Sequence, residues 1–205
     1  MRALVGPRWR WWIIALLCAW LVIGLARDAS AQSLFADVNA LSGSFTQELS
    51  NDQGQLIGSS SGTFALLRPH FFRWSIESPG QQLLLGDGSF FWQYDSDLET
   101  VIRRPLEEQL QSPLGVLLAD GDVLAANYEV QRSESEILLR PTTDAPLFKQ
   151  VTIALEGGLP DTLTLVDNLD QQVVLRLMLT DNDSLTGDDF SFTPPPGAEL
   201  TIVSP

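Results

Sequence analysis

The feature that most constrains this chain is a period of two. "SFTQEL" alternates at Phe45, Gln47 and Leu49. "FFRWSIE" puts Phe72, Trp74 and Ile76 on one side and Phe71, Arg73, Ser75 and Glu77 on the other. Successive side chains of an extended strand point to opposite faces, so this spacing predicts strands. Turn signals separate the runs. "NDQG" precedes the loosely alternating "QLIGSSSGTFALL", "SPG" precedes "QQLLLG", and Asp87–Gly88 is a hairpin signature before "SFFWQYD". "ETVIR" adds a further short strand. After an interruption the strands return as "NYEVQRS", "EILLRP", "LFKQVTIAL", "LPDTLTLVDN" and "QQVVLRLML". "FSFTPPPGAELTIV" is predicted as a last strand and an extended tail, because its three prolines forbid a helix. Short strands at even spacing, joined by hairpin turns, predict one antiparallel sheet curled into a barrel or half-barrel.

Two stretches depart from this period. "SLFADVNAL" places Leu34, Phe35, Val38 and Leu41 at helical spacing, with Ser33 as N-cap and Gly43 as stop. "RPLEEQLQSPLGVLLADGDVLAA" carries helix formers, two prolines suited to first-turn positions, and apolar Leu114, Leu117 and Leu118. The first predicts a short amphipathic helix and the second predicts one or two.

The N-terminal segment belongs to export rather than to the fold. Arg2, Arg8 and Arg10 precede the apolar run "WWIIALLCAWLVIGLA", and Ala29–Ala31 has the small–x–small form of a cleavage site. The run falls short of the roughly 20 residues a spanning helix needs. Cys18 follows Leu17 where a lipobox wants a small residue, and the apolar run continues past it. Residues 1–31 are therefore expected to be a cleaved Sec signal peptide, and 32–205 a single domain of 174 residues. That domain has no cysteine, so neither disulfides nor thiol chemistry is available to it. The whole chain carries −14; the first 31 residues hold four arginines and one aspartate, leaving −17 for the remainder. Such a surface is a poor partner for nucleic acid and is repelled by anionic membranes. A soluble periplasmic or secreted protein is expected.

Reactive constellations are weak. "GSSSG" at Gly58–Gly62 matches a nucleophile elbow, but that motif needs a strand-to-helix turn and a histidine partner. The only histidine, His70, lies beside Pro69 and cannot build a metal site alone. "DNDSLTGDD" lacks the glycine and closing glutamate of a calcium loop, and nothing marks a catalytic carboxylate pair. Apolar surface stands out instead. Phe72, Trp74, Ile76, Leu83, Leu85, Phe90, Trp92 and Tyr94 fall on neighbouring strands. They fit either a packed core or the lining of a hydrophobic-ligand pocket on a concave sheet face.

Six stretches carry a resemblance. "GSFTQ" (Gly43–Gln47), "RPHFFRW" (Arg68–Trp74), "SPGQQLLLGDG" (Ser78–Gly88), "FWQYD" (Phe91–Asp95), "SPLGVLLA" (Ser112–Ala119) and "FSFTPPPG" (Phe190–Gly197) resemble the landmarks of the LolA family of periplasmic lipoprotein carriers, in order and spacing. The resemblance spans nearly all of 32–205. It implies a mainly β fold with a few short helices: an incomplete, half-open antiparallel β-barrel covered by an α-helical lid. It implies a monomeric chaperone, not an enzyme, with no cofactor. Such a carrier accepts acylated lipoproteins from the inner-membrane ABC-type release complex LolCDE. It shields their acyl chains and delivers them to the outer-membrane receptor LolB. By the same resemblance Arg68 is the lid latch, bonded to backbone carbonyls near the lid residues Phe35, Leu114, Leu117 and Leu118. A guanidinium suits that task, since five N–H donors in a fixed fork can satisfy carbonyls left unpaired at helix ends. Phe72, Trp74, Ile76, Leu83, Leu85, Phe90 and Trp92 become the acyl-chain cavity. The lid segment departs from the family in carrying Gly115 and no aromatic at Leu114. The alternatives are LolB or another lipid-binding half-barrel, a serine esterase built on Ser60, and a structural protein with a plain apolar core.

Overall fold

A computed structural model describes residues 35, 38–106, 116–117, 121–143, 146, 148–180 and 184–203. The predicted alternation becomes strands: β1 (Ala40–Ser50), β2 (Leu56–Leu67), β3 (Phe71–Ser78), β4 (Gln82–Asp87), β5 (Phe90–Asp95) and β6 (Thr100–Pro105). A short helix, α1 (Gly121–Asn127), leads into β7 (Tyr128–Arg132), β8 (Glu136–Pro141), β9 (Phe148–Glu156), β10 (Leu159–Asp167) and β11 (Gln172–Thr180). A 3-10 helix, Gly187–Phe190, precedes β12 (Glu199–Ile202). All twelve strands form one open sheet, ordered β12-β6-β5-β4-β3-β2-β1-β11-β10-β9-β8-β7. Neighbours are antiparallel except β12, which runs parallel to β6. The pairing of β1 with β11, from Ser42↔Thr180 to Ser50↔Gln172, joins the two meanders.

The turns form where their chemistry is written. Asn51 Oδ1 accepts from the backbone N–H of Gln53 and Gln55, closing the β1–β2 turn. At the β4–β5 hairpin Gly88 adopts φ 89°, and Asp87 Oδ1 accepts from the N–H of Ser89 and Phe90. The other carboxylate oxygen of Asp87 takes the indole N–H of Trp92 at 2.7 Å.

Directly opposed residues of an antiparallel pair share a face, so the register assigns every side chain. On one side, here the inner face, Trp74 stands opposite Phe64, Leu66 opposite Leu41, and Phe45 opposite Leu177. The row continues through Leu175, Leu163, Ile153 and Ile137. All of these are buried and belong to one cluster. Gly62 lies opposite Phe45 on one side and Ile76 on the other, and over β2 the rings of Phe45 and Trp74 stack at 4.0 Å.

On the other face β3–β6 are covered by the chain's end. Leu85, Trp92 and Val101 form a second cluster with Leu83, Tyr94, Phe192 and Ala198. Arg73 Nη2 donates to the carbonyls of Asp189 and Ser191, at 3.1 and 3.0 Å, and ties this segment down. Phe190 packs on Phe71, and Phe192 on Trp92 and Tyr94.

The predicted N-terminal helix is corrected where it is described. Ala40, Leu41 and Gly43 belong to β1, and Phe35 accepts a turn hydrogen bond from the N–H of Val38. Gly43 does not stop a helix; a Cβ there would meet the Met178 carbonyl of the adjacent strand. Sheet pairing on both sides of β1 overrides the helical spacing of Leu34, Phe35, Val38 and Leu41. Leu34 lies outside the described residues, as does the predicted helical stretch 107–115; its downstream part is realised as α1.

A methyl group at Gly62 would meet the carbonyl oxygen of Ser75 on β3. Gly62→Ala is therefore expected to cost about 2 kcal/mol through forced strand displacement. That corresponds to a fall in melting temperature of roughly 4–8 °C, read by thermal unfolding.

Candidate functional site

The buried cluster of the inner face draws alternate residues from β1–β5 and β7–β11, and what meets it comes from outside the sheet. Phe35, Leu106, Val116, Leu117 and Leu124 are all buried in the same cluster as Trp74 and Phe72. Leu124 is the buried side chain of α1, whose Val123 faces solvent. The covering residues are apolar because the part of the strand face they meet is lined by Phe, Trp, Leu and Ile. Among the described residues no polar or charged side chain is fully buried.

Arg68 stands where β2 ends and the turn to β3 begins. Its backbone N–H donates to the carbonyl of Asn39 at 2.9 Å, and its Nη2 donates to the carbonyl of Leu117 at 3.0 Å. One half-buried guanidinium thus reaches from the sheet to a backbone carbonyl of the covering segment, whose side chain is 2% exposed. Charge-assisted bonds of this kind are stronger than neutral ones.

The seven predicted cavity residues fall on two faces. Phe72, Trp74 and Ile76 lie on the inner face with Phe35 and Leu117. Leu83, Leu85 and Trp92 lie on the opposite face, under Phe192 and Ala198. Phe90 lies on that same opposite face, opposite Pro105 and half-exposed, beside the guanidinium of Arg103. The cause is register: Trp74 pairs with Leu84, not with Leu83 or Leu85, and Leu84 pairs with Gln93. Leu84 and Phe91 therefore share the inner face, and the sequence reading missed both. The cross-strand register was the signal that would have found them. Leu114 and Leu118 lie outside the described residues.

The reactive candidates take structural places. Gly58 to Gly62 lie inside β2, with Ser60 opposite Gln47, so no strand-to-helix elbow forms. His70 is exposed in the β2–β3 turn. Asp189 is spent on its own 3-10 helix, where one oxygen accepts from the N–H and the hydroxyl of Thr186. The Thr186 backbone N–H is the main cause that holds the Asp189 carboxyl below the usual range, followed by the hydroxyl and then the charge of Arg73. Burial pushes the Tyr128 phenol up where its ring stacks on Phe148. Among the described residues no helix is long and apolar enough to cross a membrane.

The family model described as "Outer membrane lipoprotein carrier protein LolA" matches residues 36–193. An outer-membrane lipoprotein carrier protein of Alkalilimnicola ehrlichii is 34% identical over 85% of this chain and 83% of its own. One from Halorhodospira halophila is 30% identical over 94% of both chains. A solved LolA superfamily protein from Nitrosomonas europaea superposes with a TM-score of 0.49 at 13% identity, covering 79% of this chain and 94% of its own.

Phe192 is the lid of the outer cluster only, so Phe192→Ala is expected to cost about 2 kcal/mol, less than for a fully buried ring. It should also shift Trp92 fluorescence to longer wavelength while leaving the buried environment of Trp74 unchanged. The Asp189 carboxyl is depressed in the folded chain, so its contribution is present above the unfolded value of about 3.9 and is lost as pH falls through the folded value. Amide protection at Phe190 and Phe192 should accordingly drop below about pH 4 in the natural chain, and that acid step should vanish in Asp189→Asn.

Proposed function

The chain belongs to the family of the outer membrane lipoprotein carrier protein LolA, and from that premise we propose that it shields the acyl chains of lipoproteins on the inner face of its sheet and hands them on. The family is one of carriers and not of enzymes, and the chain is a lipoprotein carrier of that kind. Within the proposal, cleavage after Ala31 frees a monomeric domain, 32–205, into the periplasm. LolCDE releases cargo to it and LolB receives cargo from it. The sheet acts as a half-open barrel whose acyl-binding surface includes Phe72, Trp74, Ile76, Leu84 and Phe91. Phe35, Leu114, Leu117 and Leu118 belong to the lid, and Arg68 is its latch.

The observation that carries this reading is the bond from Arg68 Nη2 to the Leu117 carbonyl. It joins the sheet to a segment whose side chain is packed into the apolar face. Leu83, Leu85 and Trp92 are not assigned to cargo, because the chain's own Phe192 and Ala198 already cover them.

Energetics explain why a lid belongs here. Burying a methylene is worth roughly 0.8 kcal/mol, so one long acyl chain gains on the order of 10 kcal/mol. Two or three chains bound at full strength would not leave. A closed empty state offsets part of that gain. Loading breaks the Arg68 bond, at about 1.5–3 kcal/mol for a charged donor, and uncovers Phe35, Val116 and Leu117. The loaded state is then favourable enough to form, yet weak enough for a receptor to strip.

The test is release of a triacylated lipoprotein from spheroplasts by the purified chain, with Arg68→Leu in parallel. The natural chain is expected to yield a soluble complex and to pass cargo to membranes bearing LolB. Arg68→Leu is expected to load normally and to retain its cargo. Transfer at the natural rate by Arg68→Leu would remove the latch; no release by either chain would remove the carrier role.

A further inference from the structure

Strand β6 carries two adjacent arginines, and its pleat sends them to opposite faces. Arg103 stands opposite Trp92 on the outer face, its guanidinium 4.5 Å from the centre of the Phe90 ring and 5.4 Å from that of Trp92. Arg104 stands opposite Phe91 on the inner face, 5.0 Å from the centre of that ring. Phe91 in turn lies 6.0 Å from Phe72, whose ring crosses Gly86 where any side chain would displace it. Arg104, Phe91, Gly86, Phe72 and Leu66 are thus successive members of one row across the apolar face. The row lies at the end of the sheet where β2 turns into β3, which is also the end that holds Arg68.

Arg68 and Arg104, both on the inner face at this end of the sheet, differ in what they hold. Arg68 reaches the Leu117 carbonyl. Among the described residues the Arg104 guanidinium makes one hydrogen bond, from Nη2 to Gln93 Oε1, at a long 3.3 Å. Among the described residues its buried Nε, like that of Arg103, has no hydrogen-bond partner. Among the described residues no carboxylate forms an ion pair with it; the two ion pairs are Lys149–Asp170 and Arg176–Glu48. A dry, unpaired N–H is costly to keep, and its fork geometry suits oxygen acceptors that arrive from outside. The rings of Phe91 and Phe72 continue the row from the guanidinium, so an acceptor arriving there meets apolar surface, which suits a neutral oxygen joined to hydrocarbon.

We propose that Arg104, oriented by Gln93, binds the glyceryl ester carbonyls at the head of the cargo's lipid. This rests on the carrier role proposed above and adds a polar contact at the mouth of its apolar face. The acyl chains run onto Phe72, Phe91 and Trp74, while the carbonyls that join them to glycerol stop at the guanidinium. Arg104 thereby distinguishes an acylated head from bare hydrocarbon.

The test measures binding of a synthetic triacylated lipopeptide and of its dialkyl ether analogue, equal in chain length but lacking both ester carbonyls, to the purified exported chain. A diester phospholipid and its diether counterpart form a second pair. The natural chain is expected to prefer the ester lipopeptide by about tenfold, the value of one charge-assisted hydrogen bond. Arg104→Met is expected to bind the ether as before and to lose the preference, and Arg104→Lys to keep part of it. An ester preference in both pairs, or in the lipopeptide pair alone, upholds the site. A preference confined to the phospholipid pair overturns cargo as its ligand. Equal binding of ester and ether by the natural chain, or a full preference in both variants, overturns the inference and leaves the carrier role standing. No binding of any lipid by the natural chain overturns both.

Discussion

Everything on the inner face depends on the seam between β1 and β11. Nine residue pairs, from Ser42↔Thr180 to Ser50↔Gln172, bring together segments about 120–140 positions apart in the chain. Without that seam the meander β1–β6 and the meander β7–β11 would each present a separate apolar stripe to water. With it, Phe45 faces Leu177, and one cluster runs from Phe91 on β5 to Ile137 on β8. Closing so long a loop costs entropy before any contact repays it, and the return is a continuous apolar surface. The covering residues Phe35, Leu117 and Leu124 have a site only because that surface is continuous.

Much of the fold was legible in the sequence, because alternation states both the strand and its faces when one face is polar. Phe72, Trp74 and Ile76 against Arg73, Ser75 and Glu77 is such a case, and β3 follows it. Legibility failed where β4 and β5 are apolar on both sides. Leu83, Leu84 and Leu85 run together, as do Phe90, Phe91 and Trp92, since one side meets the inner cluster and the other meets Phe192. A run without polar punctuation does not state its face. The register does, and it depends on the β3–β4 pairing rather than on any local signal. The N-terminal stretch failed for the opposite reason. Val38 and Leu41 keep helical spacing, yet Ala40 and Leu41 are held by pairing to Leu67 and Leu66.

The site divides in the same way. Arg68 was legible only through the motif that surrounds it; composition and periodicity alone treat an arginine before a proline as a strand end. Its bond to the Leu117 carbonyl spans 49 positions of sequence and has no local signature. Arg104 was not legible at all, because its neighbour Arg103 has the same local sequence environment. The pleat separates them, one onto Phe90 and Trp92 and the other onto Phe91.

The two pairings that complete the sheet share a further property. β1 waits for β11, and β6 waits for β12, so both depend on the last 34 residues of the chain, from Gln172 onward. As the polypeptide is synthesised from its N-terminus, the first six strands are made long before either neighbour exists. They then lack the seam that continues their inner face and the segment that covers their outer one. The inner face of those strands is continued, and their outer face covered, only once the segments from Gln172 onward have been made.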